Sequence, residues 1–347
     1  MKKKYGFGII GLGAIAGIHA KAIKDIENAE ITAVFDTAPG RASDFAKLYG
    51  GKPYEDFTAF LSDTDTDFVT ITTPSGLHQD VSIAAAKAGK HLIVEKPLEI
   101  TTERCQKIIA AAAENKVLLS GIFQNRFFNA SQKIYEALVK GRFGKLILCN
   151  AYVKWFRSQE YYDSGIWRGT KEFDGGGALM NQAIHALDLL LWIGGDIREV
   201  SAFSSTLAHE RIDVEDVLVS TLKFENGALG TIEATTAAWP GSSKRIEILG
   251  TAGTAIMEEE KIIRWDFAKE EPGDEEIKNQ IGGSASSGGS SDPMGISYEG
   301  HKRQFEDCIK ALETGSKLLI DGETAAKTVT LVEAIYKSAE IKTTVKL

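Results

Sequence analysis

The sequence predicts two domains: an α/β domain with a parallel sheet, then an α+β domain with a large, mostly antiparallel open sheet. Three observations carry this reading. At 347 residues the chain is long for a single hydrophobic core. Through residue 123, short strand-like runs alternate with Ala-rich amphipathic stretches, the pattern of right-handed β-α-β crossovers. Beyond residue 124 the strand-like runs crowd together, joined by turns such as Glu225-Asn226-Gly227, a hairpin signal. The domains are placed accordingly at 1–123 and 124–347.

The chain opens MKKKYGFGIIGLGAIAGIHAKA. Three lysines, an apolar run and the small residues Ala14–Ala16 imitate an export signal. Glycine argues against it, because five of the first 17 residues are Gly and glycine disfavours a helical apolar segment. Tyr5–Ile10 reads instead as a strand, followed by Gly11-Leu12-Gly13-Ala14-Ile15-Ala16, a G-x-G-x-x-A turn. Residues 18–28 suit a helix and Ile31–Phe35 a second strand, which Asp36 ends 20 residues beyond Ala16. Strand, glycine turn, helix, strand and terminal acid in this order form the fingerprint of a Rossmann dinucleotide-binding domain.

Further strands are read at 68–72, 91–94 and 117–123, with helices at 79–88 and 102–114. Ligands of parallel sheets lie at the carboxyl ends of strands. That rule picks out Gly11–Ala16, Asp36, Thr72-Thr73-Pro74, Glu95-Lys96-Pro97 and Gln124-Asn125-Arg126. In the second domain, strands are read at 145–156, 197–208, 215–225, 228–238, 244–249, 254–257 and 261–266. Helices are read at 130–140, 177–193, 301–313 and 322–338. Val217, Val219 and Leu222, near Leu229 and Ile232, are read as apolar alternates on the sheet's outer face. Residues 269–297, acidic and then Gly/Ser-rich, read as a surface loop.

Composition narrows the function classes. A net charge of −8 and a pI near 5.4 argue against a binder of the nucleic-acid backbone. No apolar run is long enough to span a bilayer. Cys105, Cys149 and Cys308 are far apart and show no metal spacing, which fits a reducing, cytoplasmic compartment and no metal.

Two constellations carry chemistry. In AGKHLIVEKPLE, Lys96 falls at a strand end, where position alone is read equally well as surface charge; Pro97 beside it is a candidate for a cis peptide bond. In DGGGALMNQAIHALDLLLW, three glycines open a helix that is apolar on almost every side. Asn181, His185 and Asp188 stand at i, i+4 and i+7, so they share one face. A polar stripe on a buried helix is either internally paired or lines a cavity. Asp36 predicts NAD in preference to NADP, since a strand-end carboxylate accepts bonds from ribose hydroxyls and repels a 2′-phosphate. Arg41 is placed on the exposed face of the next helix. Ahead of the glycine run, Arg157, Tyr161, Tyr162, Trp167 and Arg168 offer aromatic faces for a sugar ring and guanidiniums for an acidic group.

Gly11–Ala16, Thr73-Pro74, the run from Ala88-Gly89 to Glu95-Lys96-Pro97, Arg126, Trp167-Arg168 and Gly175–Asp188 together resemble the Gfo/Idh/MocA family of NAD(P)-dependent sugar and cyclitol dehydrogenases. The likeness runs in order along essentially the whole chain. It implies hydride transfer between a nicotinamide cofactor at a domain cleft and a secondary hydroxyl or ketone of a sugar, cyclitol or nucleotide-linked sugar. Lys96 and His185 match the pair that holds and deprotonates the reacting hydroxyl. Expected cofactor contacts are Gly11, Gly13, Ala14, Ile15, Ala16, Asp36, Thr73, Pro74, His78, Glu95, Lys96, Arg126, Trp167 and Arg168. Expected substrate contacts are Lys96, Asn181, His185, Arg157 and Tyr162. Many relatives carry Asp where this chain has Asn181, which does not titrate and so orients hydroxyls rather than relaying a proton. That departure is the one support for the alternative class, a non-catalytic dinucleotide- or sugar-binding regulator. The resemblance also implies face-to-face packing of sheets in a homodimer or homotetramer.

Overall fold

The structure, a computed structural model, describes residues 3–280 and 297–347. They divide into two units, one running to Gln124 and resuming at Ser297–Val329, the other starting at Asn125 and resuming at Thr330–Leu347. A single cut at 123/124 therefore misplaces the helix Glu299–Thr314, which belongs to the first unit. Its apolar stripe decides this. Phe305, Cys308 and Ile309 are buried in one core with Phe7 and Phe68. Phe7 stacks on Phe68 at 5.0 Å and on Phe305 at 5.8 Å.

The first unit holds six parallel strands: β1 (Tyr5–Ile10), β2 (Ala29–Phe35), β3 (Lys52–Tyr54), β4 (Phe68–Ile71), β5 (His91–Val94) and β6 (Leu119–Gly121). Their order is β3-β2-β1-β4-β5-β6. Every residue of β1 is buried, as expected for a central strand covered on both faces. β3 escaped the sequence reading. It has three residues, one of them Pro53, and lies at the sheet edge, where a missing N–H is tolerated. The order reverses between β1 and β4, so their carboxyl ends lie side by side at the switch point where such sheets bind ligands.

The second unit holds β7 (Leu146–Lys154), β8 (Ile197–Ser205), β9 (Val217–Phe224), β10 (Leu229–Thr235), β11 (Arg245–Gly250), β12 (Gly253–Glu258), β13 (Lys261–Phe267) and β14 (Val345–Lys346). The order is β13-β12-β11-β7-β10-β9-β8-β14, antiparallel except for the pair β7 and β10. The helix Ile184–Gly194 packs on β7 and β11, and the helix Asn129–Val139 packs on that helix and on β12. The outward apolar set needs correcting. Side chains alternate with period 2 along a strand, so Leu222 and Ile232 point inward and are buried, while Val219 and Leu229 are exposed.

Of the segment read as a surface loop, residues 274–279 form a short helix, and Asp274 is tied to Arg142 at 2.6 and 2.8 Å and to the Trp265 indole at 2.7 Å. Its stretch 281–296 lies outside the described residues. Among the described residues no helix is long and apolar enough to cross a membrane. Because Phe305 fills the core of the first unit, Phe305→Ala is expected to lower the unfolding free energy by about 3–5 kcal/mol. Denaturant titration checks this; a loss under about 1 kcal/mol would mean the helix is only loosely attached.

Candidate active site

The glycine turn is shaped by close backbone approach. Gly11 has φ +85°, and a Cβ there would stand 2.8 Å from the Thr73 nitrogen. Gly13 precedes the helix Ala14–Lys24 and supplies no side-chain cap, and a Cβ on Gly13 would meet nothing within 4 Å. Ala14 and Ile15 form the first helical turn, and Ala16 is buried against the sheet. Thr73 Oγ1 is buried and has no hydrogen-bond partner among the described residues. Open space before a helix N-terminus, flanked by a spare hydroxyl, fits the pyrophosphate of a dinucleotide.

Asp36 is oriented by its own backbone surroundings. Its carboxylate accepts from the Leu12 amide at 2.7 Å and the Ala38 amide at 2.8 Å. Arg41 is exposed at the start of the next helix, as expected, and from there its Nη1 also reaches within 3.4 Å of Asp36. It opens the helix Arg41–Tyr49, which brings the guanidinium back toward the strand end.

Lys96 follows β5, and the Lys96–Pro97 peptide is cis. Its loop is braced from behind. His78, expected at the cofactor, is fully buried and spans two strand ends, with Nδ1 2.9 Å from the Pro97 carbonyl and Nε2 3.0 Å from the Thr73 carbonyl. Burial pulls its pKa down, so the neutral ring donates to one carbonyl at a time. The one imidazole lies between Thr73-Pro74 and Lys96-Pro97 and hydrogen-bonds whichever carbonyl its N–H faces. Glu95, also expected at the cofactor, is turned into the core toward His19 and His301. Sequence reading missed these two histidines; they lie 76 and 206 positions from Glu95, and no spacing rule joins them.

In the second unit the predicted helix is two structures, a π-helical turn Ala178–Ala183 and then the α-helix Ile184–Gly194. The glycines before it allow tight packing: a Cβ on Gly177 would fall 1.8 Å from the Glu215 carbonyl oxygen. The Glu215 carboxylate caps the turn, accepting from the Gly177 amide at 2.9 Å, the Leu179 amide at 2.8 Å and the Tyr336 hydroxyl at 3.0 Å. Burial raises the Glu215 pKa in spite of these donors.

The wider π turn breaks the uniform helical register on which the shared stripe of Asn181, His185 and Asp188 was read. Asp188 is buried and takes a bidentate pair from Arg126 at 2.8 and 2.6 Å. Arg126, expected at the cofactor, is therefore occupied within the second unit, and its guanidinium also faces Trp192 at 5.4 Å. Asn181 instead joins a polar chain. Its Nδ2 donates to buried Asp174 at 2.7 Å, and its Oδ1 accepts from Gln182 at 3.2 Å. Gln182 also donates to the Tyr161 hydroxyl at 3.2 Å and accepts from Arg157 at 3.2 Å. Arg168 donates to the same hydroxyl at 3.0 Å and stacks over Tyr161 and Trp167 at 4.5 and 4.3 Å. Tyr162 is not part of this chain. It is buried against His209, its hydroxyl shares a 2.8 Å hydrogen bond with Thr236, and burial pushes its pKa up to about 12. The adjacent Tyr161 takes the polar place expected of it.

A family model described as an oxidoreductase family with an NAD-binding Rossmann fold matches residues 5–123, and a GFO/IDH/MocA C-terminal domain matches 131–256. The chain belongs to the Gfo/Idh/MocA family. It is 32% identical over 256 residues to myo-inositol 2-dehydrogenase of Thermotoga maritima, covering 71% of this chain and 73% of that one. The WlbA dehydrogenase of Bordetella pertussis, solved with NADH and UDP-GlcNAcA, is 33% identical with a TM-score of 0.90, covering 100% of this chain and 99% of that one. The WlbA dehydrogenase of Chromobacterium violaceum, with the same two ligands, is 35% identical with a TM-score of 0.89, covering 100% and 97%. This Gfo/Idh/MocA chain is an NAD-binding oxidoreductase.

Removing one partner of a buried ion pair strands the other charge in the interior. Asp188→Ala is expected to cost about 3–5 kcal/mol of stability. NADH affinity of the folded fraction should stay within about threefold, a change of less than about 1 kcal/mol in binding free energy. Denaturation and fluorescence titration of the same variant check both halves. A large loss of NADH affinity without a loss of stability would return Arg126 to the cofactor.

Proposed function

We propose that this Gfo/Idh/MocA member oxidises a secondary hydroxyl of a nucleotide-linked sugar acid with NAD. The observation that carries the substrate class is the polar chain in the second unit, where Arg157 and Arg168 converge on Tyr161 and Gln182. Guanidiniums held in fixed planes are the groups suited to a carboxylate or a diphosphate. The two WlbA dehydrogenases, similar over their full length, were solved with a substance of that class, UDP-GlcNAcA. A neutral cyclitol is the second reading, supported by the likeness to myo-inositol 2-dehydrogenase.

In this reading His185 takes the hydroxyl proton, since imidazole titrates near neutrality. Lys96 places a cation beside the oxygen and stabilises its developing negative charge. Asn181, anchored by Asp174, holds neighbouring hydroxyls by hydrogen bonds. NAD, when bound, supplies the hydride acceptor. Gly11, Gly13, the first helical turn, Asp36 and Thr73 would hold it. The compartment we propose is the cytoplasm, on the strength of three buried free thiols.

The test is NADH formation with UDP-GlcNAcA, its neutral counterpart UDP-GlcNAc, and myo-inositol. Turnover with the acid should exceed the others by at least about tenfold, or roughly 1.4 kcal/mol in the transition state, and Arg168→Ala should narrow the gap. Higher turnover with myo-inositol would favour the cyclitol reading. Lys96→Ala and His185→Ala should each lower kcat by about 100-fold or more, with NADH affinity nearly unchanged. Because both serve one proton transfer, the double variant should lose less than the product of the two.

We propose further that the outer face of the eight-stranded sheet carries the contact of a homodimer or homotetramer. Leu148, Phe203, Val219 and Leu229 are exposed there, among ion pairs such as Lys154–Glu233 at 2.7 Å. Light scattering at micromolar concentration should give at least a dimer mass, and Val219→Lys with Leu229→Lys should shift it toward the monomer. A wild-type monomer would overturn this assignment.

A further inference from the structure

His19, Glu95 and His301 form a cluster that the reading above leaves without a role. All three are buried in the first unit. His19 comes from the helix Ala14–Lys24, Glu95 from the end of β5, and His301 from the helix Glu299–Thr314. His19 Nε2 lies 2.8 Å from Glu95 Oε1, and its Nδ1 lies 2.6 Å from the Thr70 hydroxyl. Glu95 Oε2 accepts the backbone N–H of Lys96 at 3.0 Å. His301 Nε2 stands 3.6 Å from Glu95 Oε1, and neither of its ring nitrogens has a hydrogen-bond partner among the described residues.

Two chemistries could bring such groups together. Among the described residues this is the one group of three whose donor atoms lie close enough to hold a metal ion. The His19–Glu95 distance favours hydrogen bonding instead, with His301 beside the pair at 3.6 Å. At 2.8 Å, carboxylate and imidazole are at the normal separation for a charge-assisted N–H···O bond, with the proton between them. Two ligand atoms each about 2.0–2.1 Å from one tetrahedral ion would stand wider apart. His19 also needs nothing more: as the Nε2–H tautomer it donates to Glu95 and accepts from Thr70. Burial by itself would raise the Glu95 pKa, but the histidines outweigh it and hold the carboxyl well below its usual range. The carboxylate is therefore ionised, and its second oxygen is committed to the main chain of Lys96.

We propose that His19, Glu95 and His301 form a buried positioning triad that fixes the backbone of Lys96. His19 orients the carboxylate from the dinucleotide-binding helix. His301 sets a second imidazole against the same oxygen from the helix of the late chain segment. Glu95, held by His19 and flanked by His301, carries this constraint to the Lys96 amide, while the His78 ring faces the carbonyl of the next residue, Pro97, at 2.9 Å. None of the three histidines need touch substrate. The inference rests on the proposed role of Lys96, and its test keeps the two apart.

Five variants serve: Lys96→Ala, Glu95→Gln, His19→Gln, His19→Leu and His301→Leu. Gln at position 19 can carry an N–H where Nε2 stood; Leu cannot. The readouts are kcat and KM with UDP-GlcNAcA, NADH affinity, melting temperature, and the imidazole N–H proton spectrum of ¹⁵N-histidine-labelled protein. A far-downfield N–H resonance is expected in the wild type and should vanish in Glu95→Gln, whether or not that sugar is a substrate. His19→Leu and Glu95→Gln should lower kcat about tenfold or more, with KM and NADH affinity within about threefold, and His19→Gln should recover most of the loss. A purely structural cluster would lower the melting temperature and leave kcat of the folded fraction unchanged, which overturns the proposal. So does an absent downfield resonance, or one equivalent of zinc in the purified protein. Lys96→Ala with full turnover overturns both this inference and the role of Lys96. Loss in Lys96→Ala alone, with the triad variants at wild-type rate, overturns the inference only.

Discussion

Buried carboxylates organise the loops that carry the candidate site residues in the described part of this molecule. An ionised carboxylate inside a protein is destabilising by several kcal/mol unless each oxygen is hydrogen-bonded or paired. Asp36, Glu95, Glu99, Asp174, Asp188 and Glu215 are all buried, and each meets that requirement by binding a segment that carries chemistry or braces it. Asp36 holds the glycine turn through the Leu12 amide. Glu95 holds Lys96, and Glu99 takes Arg104 at 2.8 Å and the Gln79 amide at 3.2 Å. Asp174 fixes Asn181, Asp188 fixes Arg126, and Glu215 caps the π turn.

These clamps differ in what neutralises them, and their acidity follows. Glu95 is flanked by two imidazoles and is held in the ionised form. Glu215 meets only amide and phenol donors, and desolvation wins, raising its pKa. A group shifted upward stabilises the fold most below its unfolded pKa and loses that contribution as pH rises through the folded value. A group shifted downward stabilises the fold above its unfolded pKa and loses that contribution in acid. The two units thus respond to pH in opposite senses at these positions.

The π turn is the second organising feature. A continuous α-helix would place Asn181, His185 and Asp188 on one stripe. The wider turn lets Asn181 join the Arg157–Tyr161–Arg168 chain while Asp188 serves Arg126. Such turns concentrate at functional sites because they aim side chains that a regular helix cannot.

Period and punctuation determined much of the protein from sequence alone. Five of six parallel strands, the glycine turn, the strand-end positions of Asp36 and Lys96 and the helical segment with His185 were legible, because local backbone chemistry and side-chain alternation fix them within a few residues. The tertiary structure decided what depends on contacts remote in sequence. It returned 297–329 to the first unit through Phe305, turned Glu95 and His78 inward, and paired Arg126 with Asp188. It also exchanged Tyr162 for Tyr161, because two neighbours on one short helix point in different directions and only packing selects which is buried. A polar residue read along a chain shows its chemistry but not its partner. Burial forces each such group to find one, and the partners of His19, Glu95 and Asp188 lie from 62 to 206 positions away, beyond the reach of any local pattern.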